Sequence, residues 1–299
     1  MGELRGVAAT ALGVARIRAT ESARPDRLFD DPYAAGFVAA APPRPAAAAR
    51  TDDAEVPAPQ REAFYRGLFR HVVLRTRFFD DYLTTATTQH ALRQVVILAA
   101  GLDTRAHRLP WPDGVRLYEV DLPEVLAFKE RVLAEQGARP RCARTAVAAD
   151  LRTDWTAPLR AAGFAPDEPT AWLVEGLLVY LSAGEAARLL TTLGEQSAPG
   201  SRLAFPGSED FRTSAMMADG RTLPSMREIS ALWKGGLDEP AADWLGRHGW
   251  QPRIHARETV AASYGRVLGD RPDGAGTDGT DGRGAFVVAV RGRDEVPSV

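Results

Sequence analysis

Four small or acidic residues each follow a short apolar segment of this 299-residue chain. They are Gly101, Asp121, Asp150 and Glu175. Glycine allows a ligand to approach the backbone closely. Asp121 lies 20 residues after Gly101, and an acid at such a spacing can accept hydrogen bonds from a ribose diol. Asp150 with its apolar neighbour Leu151 suits the amino group and the ring of an adenine. Together these residues predict a nucleoside ligand.

The residues around Gly101 also limit which nucleoside could bind. A single acid after a strand often caps a helix or lies in a solvated turn, but three in succession favour a shared ligand. A dinucleotide site needs the pattern Gly-x-Gly-x-x-Gly, whereas residues 99–104 contain one glycine and carry Asp103 where a diphosphate would lie. The sequence has no Gly-x-x-x-x-Gly-Lys-Ser/Thr motif for nucleotide phosphates. We therefore expect a positively charged nucleoside without phosphates, and S-adenosylmethionine fits that description.

The apolar segments before these residues are predicted to be strands of one sheet. The first, residues 95–98, is a short continuous apolar run bounded by small residues, as is typical of a strand buried on both faces. The predicted strands are residues 95–98, 116–120, 145–149, 170–174, 201–205 and 286–291. Helices predicted at 123–136 and 183–197 favour right-handed crossovers and a doubly wound parallel α/β sheet. Ligands of such sheets bind outside the carboxyl ends of the strands, so the four residues should converge there.

The first part of the chain is predicted to be helical. Apolar positions within residues 4–22 indicate a helix that either packs on the body of the protein or covers a ligand as a lid. A Pro/Ala-rich connector at residues 42–59 precedes a second predicted helix at residues 61–85. We therefore assign residues 1–85 to an N-terminal helical lid or cap region.

The remainder, residues 86–299, is assigned to a cofactor-binding domain. Residues 208–239 do not fit the alternation of strands and helices, and we interpret them as a helical insertion. The Gly/Asp-rich residues 269–284 resemble a calcium loop superficially. However, the residue order of an EF-hand and its closing Glu are missing, so a solvated loop is the better interpretation.

The composition argues against several kinds of partner. A formal net charge of −2 gives no general attraction to nucleic acid or to acidic membranes. Of 37 basic residues 35 are Arg, so clusters of Arg carry little weight. A single cysteine, Cys142, cannot form a disulfide framework or a cysteine-built metal site, and we expect no metal. No apolar run approaches the ~18–20 residues of a membrane span, and the N-terminus does not fit a signal peptide. We expect a cytoplasmic protein.

Four segments, in this order, resemble the leucine carboxyl methyltransferase family. They are VVILAAGLDTRA at 95–106, YEVDLP at 118–123, DLRTDW at 150–155 and EGLLVYL at 175–181. The closer similarity is to the family's actinobacterial branch of S-adenosylmethionine-dependent methyltransferases, which includes carboxyl O-methyltransferases of polyketide pathways. The resemblance implies a class I methyltransferase with a Rossmann-like, mostly parallel seven-stranded sheet. The stretch from Thr10 to Asp31, within the predicted N-terminal helical lid, also resembles this branch, and the predicted helical insertion follows the fifth strand.

The resemblance further implies which residues contact S-adenosylmethionine. These are Ala99, Gly101, Asp121, Asp150, Leu151 and Glu175. An arginine on the preceding helix also contributes, and Arg75 is preferred over its competitor Arg77. Two positions depart from the family pattern. The family usually has glycine at the position of Ala99, where a methyl group could crowd the methionine end of the cofactor. Relatives often carry an acid after the fifth strand, where this chain has Phe205-Pro206-Gly207.

The methyl acceptor is predicted to be a small molecule, and a carboxylate is favoured over a hydroxyl. A carboxylate is already ionised at pH 7 and needs no base. It needs a cation or hydroxyl donor to hold it, and Arg75, Arg77 and Tyr180 are available. Tyr180 could equally be a core tyrosine with a satisfied hydroxyl. A hydroxyl acceptor would need a base, for which His107 is the candidate, although we expect His107 on a helix surface.

Three classes of function stay open on the sequence alone. The favoured class is an S-adenosylmethionine-dependent O-methyltransferase, with Tyr180 and Arg77 positioning the acceptor. A nicotinamide-dependent oxidoreductase is disfavoured by the missing glycines. The third class is a non-catalytic domain that binds the cofactor without turnover. In each case we expect a small-molecule partner rather than nucleic acid or a membrane.

Overall fold

A mixed sheet of seven strands, in the order β3-β2-β1-β4-β5-β7-β6, forms the centre of the computed structural model. The structure describes residues 7–41, 53, 55–207, 220–267 and 285–292. The strands are β1 Gln94–Leu98, β2 Arg116–Asp121, β3 Ala143–Ala148, β4 Thr170–Val174, β5 Arg202–Pro206, β6 Trp250–Ala256 and β7 Ala285–Arg291. The first five are parallel, and β7 lies antiparallel between β5 and β6. The predicted doubly wound, mostly parallel seven-stranded sheet is confirmed.

Helices flank the sheet and precede it. They are α1 Val7–Ser22, α2 Ala34–Ala40, α3 Ala58–Thr88, α4 Arg105–Arg108, α5 Pro123–Glu135, α6 Thr156–Ala161, α7 Ala183–Glu195, α8 Arg227–Ser230, α9 Ala241–Arg247 and α10 Arg257–Ser263. Single 3-10 turns lie at Leu178–Tyr180 and Pro224–Met226. The start of α7 follows from its sequence, because Ser182 and Glu185 form a reciprocal capping box. Pro123 at the first position of α5 acts similarly, since it needs no hydrogen-bond partner there.

Both faces of the sheet are covered, which explains why the central strands β1 and β4 each contain four consecutive apolar residues. Alternate residues of β1, Val96 and Leu98, pack with residues of α6, α7 and α9 on one face. The other alternate residues, Val95 and Ile97, pack with residues of α3, α4 and α10 on the opposite face. Strands that are buried on both sides cannot alternate apolar and polar residues, so their sequence pattern is a short apolar run.

The strand that the apolar pattern does not predict is β6. It lies at the edge of the sheet and pairs with β7 alone, and most of its residues are exposed or half-buried. An edge strand can accommodate Pro252 and exposed polar residues because one of its sides forms no ladder hydrogen bonds. Its sequence, Trp-Gln-Pro-Arg-Ile-His-Ala, therefore lacks the run of apolar residues that marks the buried strands.

The N-terminal helices pack against α5 and against the segment that follows β1. Ala15 of α1, Phe37 of α2, Leu102 and Phe128 share one buried apolar cluster. The predicted boundary at residue 85 falls within α3, which continues to Thr88. The division into a cap region and a cofactor-binding domain stays a prediction.

Parts of three predicted segments lie outside the described residues. These parts are 42–52 and 54 of the connector, 208–219 of the insertion and 269–284 of the Gly/Asp-rich segment. The described remainder of the insertion contains the turn at Pro224–Met226 and the short helix α8.

The segment 99–104, which we call the β1 loop, leaves the sheet through two left-handed residues. Ala99 has φ of 51° and Gly101 has φ of 48°. Glycine adopts this region readily, whereas an alanine methyl group crowds the neighbouring carbonyl oxygen. The backbone at Ala99 therefore has a conformation that glycine would adopt without strain.

We expect Ala99→Gly to stabilise the protein. The left-handed conformation costs alanine roughly 1–2 kcal/mol, and glycine adds about 0.4–1 kcal/mol of unfolded-chain entropy, so a net gain of about 0.5–1 kcal/mol should appear in urea unfolding. Ala100→Gly is the matched control, because Ala100 is buried and is not left-handed. It should lower the free energy of unfolding by about 0.5–1 kcal/mol. Equal losses in both variants would contradict the strain at Ala99.

Candidate active site

The four strand-end residues lie at the same edge of the sheet. Leu98 of β1 pairs in parallel register with Val120 of β2 and with Val174 of β4, and Asp121 pairs with Ala148 of β3. Gly101, Asp121, Asp150 and Glu175 each follow or end one of these strands. This is the edge at which open α/β sheets bind ligands.

Asp121 fastens the β1 loop to the end of β2. Its Oδ2 accepts a hydrogen bond of 2.6 Å from the backbone N–H of Gly101, and its Oδ1 accepts one of 2.7 Å from Leu122. Burial raises the pKa of Asp121, although these two hydrogen bonds lower it in part. Each carboxylate oxygen can accept more than one hydrogen bond, so Asp121 can hold the loop and still accept from a ligand hydroxyl.

Asp150 lies nearer the surface and forms a local ion pair. Its carboxylate accepts hydrogen bonds from the backbone N–H of Arg152 at 2.9 Å and from the Arg152 guanidinium Nη2 at 2.6 Å. The bond from the Arg152 side chain lowers the pKa of Asp150. Leu151 is half-buried and packs against the apolar cluster on one face of the sheet. This corner of the site therefore combines a hydrogen-bond acceptor with an apolar wall.

Glu175 lies between two arginines from different helices. Its Oε1 is 2.7 Å from Nε of Arg75 on α3, and its Oε2 is 2.7 Å from Nη1 of Arg105 on α4. Burial raises the pKa of Glu175, but the two guanidinium groups outweigh burial and lower it below its usual value. Glu175 is therefore ionised and is held from two sides.

The structure separates the two arginines that the sequence left in competition. Arg75 faces Glu175, whereas Arg77 pairs with Asp81 at 3.0 Å and donates to the carbonyl oxygen of Leu28 at 2.9 Å. Side chains two positions apart on an α-helix point in directions that differ by about 200°. Arg75 and Arg77 therefore contact different groups. The geometry favours Arg75 for the strand-end site, and it gives Arg77 no contact with Glu175 or Tyr180.

A buried ionic network behind Glu175 was not predicted. Arg105 also contacts Asp80, at 2.7 Å, and Asp103, and Arg108 contacts Asp80 through two hydrogen bonds of 2.6 Å. Arginine clusters are a weak signal in this sequence because arginine is the common cation of the chain. The available signal was the position of Arg105 within the segment VVILAAGLDTRA, directly after the β1 loop.

A second group of basic side chains was also missed. Arg257 Nη1 lies 3.3 Å from Nδ1 of His71, which precedes Arg75 by one turn on α3. Because β6 runs parallel to the first five strands, Arg257 at its end lies at the same edge of the sheet as Glu175. Burial, Arg75 and Arg257 hold the pKa of His71 well below its usual value. The sequence did not reveal β6, so it gave no reason to place Arg257 here.

Tyr180 and His107 have different surroundings. The Tyr180 hydroxyl donates to Thr10 Oγ1 of α1 at 3.4 Å. His107 is 3% exposed and its ring contacts that of Tyr33, so the expectation of a helix-surface position is wrong. The cause is the packing of the N-terminal helices over α4. Burial and the nearby Arg144 lower the pKa of His107 below its usual value.

Helix α1 is tied directly to the β1 loop. Arg18 on α1 donates to the carbonyl oxygen of Leu102 at 2.6 Å and pairs with Asp31 at 3.0 Å. Asp31 in turn accepts a hydrogen bond of 2.8 Å from Thr104. These contacts hold α1 beside the loop and close to Tyr180.

Two kinds of feature were not found within the described ranges. Residues 7–41, 53, 55–207, 220–267 and 285–292 contain no helix with the length and apolar character of a membrane span. The same residues contain no group of three or more His, Cys, Asp or Glu side chains arranged to hold a metal ion.

The sequence matches a family and several relatives. The model of a family described as leucine carboxyl methyltransferase matches residues 11–194. A protein of Parafrankia sp. (strain EAN1pec) is 50% identical over 268 residues, which are 88% of this chain and 83% of that protein. A protein of Streptomyces coelicolor is 41% identical over 291 residues, which are 96% of each chain. Both bear the provisional name of an S-adenosyl-L-methionine-dependent methyltransferase.

Solved structures share the fold at low sequence identity. A DUF574 family protein from Streptomyces avermitilis has a TM-score of 0.54 and 17% identity, over 93% of this chain and 97% of that one. A protein from Thermobifida fusca, provisionally described as a methyltransferase, has a TM-score of 0.53 and 16% identity, over 93% of this chain and 94% of its own. At this identity the likeness is evidence for the fold alone.

Family membership follows from the sequence matches. The family model matches more than half of the chain. The matches to the Parafrankia and Streptomyces coelicolor proteins, at 50% and 41% identity, cover 83% and 96% of those proteins. The chain belongs to the leucine carboxyl methyltransferase family.

Proposed function

We propose that this protein transfers the methyl group of S-adenosyl-L-methionine to the carboxylate of a small molecule. Membership of the family makes the chain an S-adenosyl-L-methionine-dependent methyltransferase. Relatives in Parafrankia and Frankia alni that are 50% and 53% identical carry that provisional name. That the methyl acceptor is a carboxylate is an additional inference, and it rests on the charges at the edge of the sheet.

The strand-end residues fit the parts of this cofactor. Asp121 supplies an acceptor for the ribose hydroxyls, and Asp150 with Leu151 supplies an acceptor and an apolar wall for the adenine. Arg75 and Glu175, in contact at 2.7 Å, carry the charges opposite to those of an α-carboxylate and an α-ammonium group. When bound, the cofactor would supply a methyl group activated by its sulfonium. These matches are carried over from the family and supported by the chemistry of the residues present.

The observation that carries the carboxylate acceptor is the contact between Arg257 and His71, at the same edge of the sheet as Glu175. Arg257 contacts His71 at 3.3 Å, and His71 lies one helical turn, about 6 Å, from Arg75. A carboxylate needs no base at pH 7, but it needs charged hydrogen-bond donors to hold it. Arg75 is assigned to the α-carboxylate of the cofactor, so the Arg257 guanidinium beside the neutral His71 would provide the donor for the acceptor carboxylate at this edge of the sheet.

Methyl transfer is an in-line displacement, so the protein acts mainly by positioning and by excluding water. We infer that α1 acts as a lid, because Arg18 and Asp31 fasten it to the β1 loop and Thr10 contacts Tyr180. Tyr180 would then lie between the lid and the acceptor, where its hydroxyl could hold an acceptor oxygen.

The alternative acceptor is a hydroxyl, with His107 as base. The lowered pKa of His107 leaves it neutral and able to accept a proton at pH 7. Its observed neighbours, Tyr33 and the charged groups of β2, β3 and α5, give it no contact with Tyr180 or Glu175. We therefore prefer the carboxylate.

Asp121→Ala should weaken the binding of S-adenosylhomocysteine. Loss of hydrogen bonds to a charged acceptor corresponds to about 1.5–3 kcal/mol, and isothermal titration calorimetry measures it directly. Glu168→Ala is the control, because Glu168 precedes β4 and pairs with Arg116 at the opposite edge of the sheet. An Asp121→Ala variant that is folded and binds with unchanged affinity would remove Asp121 from the site.

Loosening α1 should impair methyl transfer more than cofactor binding. Deletion of residues 4–38 removes the inferred lid, and Arg18→Met is the milder variant because it breaks the contacts with Leu102 and Asp31. We expect turnover to fall at least tenfold while the affinity for S-adenosylhomocysteine changes by less than threefold. Arg24→Met is the control, since Arg24 pairs with Asp26 at an exposed position. Full turnover by both variants would mean that α1 only packs against the protein and does not act as a lid.

A carboxylate acceptor should give a rate that does not change between about pH 5.5 and 8, since a carboxyl group of pKa ~4 is ionised throughout. The assay uses methyl-labelled cofactor and a panel of aliphatic and aromatic carboxylic acids and phenols, and a methyl ester is recognised because alkali releases labelled methanol. We expect Arg257→Met to raise KM for the acid about 10-fold or more.

A hydroxyl acceptor would give different results in the same assay. If His107 were the base for a hydroxyl, the rate would rise with pH through a pKa below 6.5, because the pKa of His107 is lowered. His107→Asn would then abolish the reaction, and the product would be stable to alkali.

Tyr180→Phe should weaken transfer to a carboxylate by about 0.5–3 kcal/mol, the range for one hydrogen bond.

A further inference from the structure

Arg105 is the most heavily engaged cation among the buried groups behind the site. Its side chain is 3% exposed, and it contacts three carboxylates, which belong to Asp80, Asp103 and Glu175. Its Nη2 also donates to the backbone carbonyl of Thr76 at 3.3 Å. The guanidinium is therefore fixed by groups from α3, the β1 loop and the end of β4.

The two oxygens of Glu175 are divided between two arginines. Oε1 faces Arg75 and Oε2 faces Arg105. If Arg75 turned away to bind another anion, Glu175 would still be paired through Oε2. That matters because a buried carboxylate without a partner is strongly destabilising.

We propose that Arg105 is a positioning residue for the cofactor, which holds the Glu175 carboxylate in place for the α-ammonium group of S-adenosylmethionine while Arg75 pairs with its α-carboxylate. The proposal rests on the cofactor of the proposed function. Binding would exchange one internal ion pair, Arg75–Glu175, for two pairs with the ligand. Arg105 would keep its own contact with Glu175 throughout, so the exchange leaves no buried charge unpaired.

The charges around Glu175 make this role measurable as a pH dependence. The groups that face Glu175 are Arg75 from α3, Arg105 from α4 and Asp103 from the β1 loop, with Asp80 behind Arg105. Burial and Asp103 raise the pKa of Glu175, whereas Arg105 and Arg75 lower it. Because a protonated Glu175 cannot pair with an ammonium group, ligand affinity should fall as the pH falls through the pKa of Glu175. Loss of Arg105 should move that fall to higher pH.

The test is calorimetric titration of S-adenosylhomocysteine into the full chain between pH 3 and 8, a range that extends below the usual pKa of a glutamate. Thermal unfolding of each variant shows over which part of that range it is folded. Arg105→Met should weaken binding at pH 7 at least tenfold and raise the midpoint of the acid loss by about one pH unit. Arg105→Lys, which keeps the charge, should restore much of the affinity. Arg108→Met is the matched control, since Arg108 is equally buried and contacts Asp80 but not Glu175. It should keep the affinity and midpoint of the unchanged protein.

A second ligand and a second variant keep the proposal falsifiable. Methylthioadenosine lacks the amino acid end, so Arg105→Met should change its affinity by less than twofold. If Arg105→Met does not fold, Asp103→Asn replaces it, because removing the acid that raises the pKa of Glu175 should move the acid midpoint to lower pH. An unchanged midpoint in the variant tested, or equal loss in the Arg105 and Arg108 variants, overturns the proposal. Failure of the unchanged protein to bind S-adenosylhomocysteine would instead overturn the cofactor itself.

Discussion

The site depends on one buried cation, Arg105, because side chains from three separate elements meet at its guanidinium group. Asp80 comes from α3, Asp103 from the β1 loop and Glu175 from the end of β4. A buried ion pair contributes little net stability compared with apolar packing, but removal of one partner is strongly destabilising. The network therefore acts chiefly to fix the relative position of these elements, and it fixes them where a zwitterionic ligand end would bind.

The β1 loop is held from three directions, which explains how a short segment can keep a strained conformation. Asp121 holds the backbone of Gly101, Arg105 holds Asp103, and Thr104 donates to Asp31 from the N-terminal region. Strained backbone persists only where the surrounding contacts determine it strongly. The left-handed Ala99 lies at the start of this loop, directly before the residues that are held.

Much of the fold could be predicted from the sequence because burial on both faces leaves a strong pattern. The segments of β1, β4 and β5 each contain a run of three or four apolar residues. Their positions, and that of β2, were predicted to within about two residues. β6 was missed for the opposite physical reason. It is an edge strand with Pro252 and exposed polar side chains, and an edge position does not require an apolar sequence. Missing β6 also meant missing Arg257 at its end.

The sequence by itself determined which kinds of residue, a glycine and three acids, follow the strands, since their positions after the predicted strands can be identified from the chain alone. Only the tertiary structure decided which side chains meet. Arg75 rather than Arg77 contacts Glu175, 100 positions away, and His71 contacts Arg257, 186 positions away. His107 is buried because the N-terminal helices cover α4, although its local sequence suits a surface position. Such contacts depend on the packing of whole helices against the sheet and against each other, and the residues around His107 do not encode that another part of the chain will cover α4.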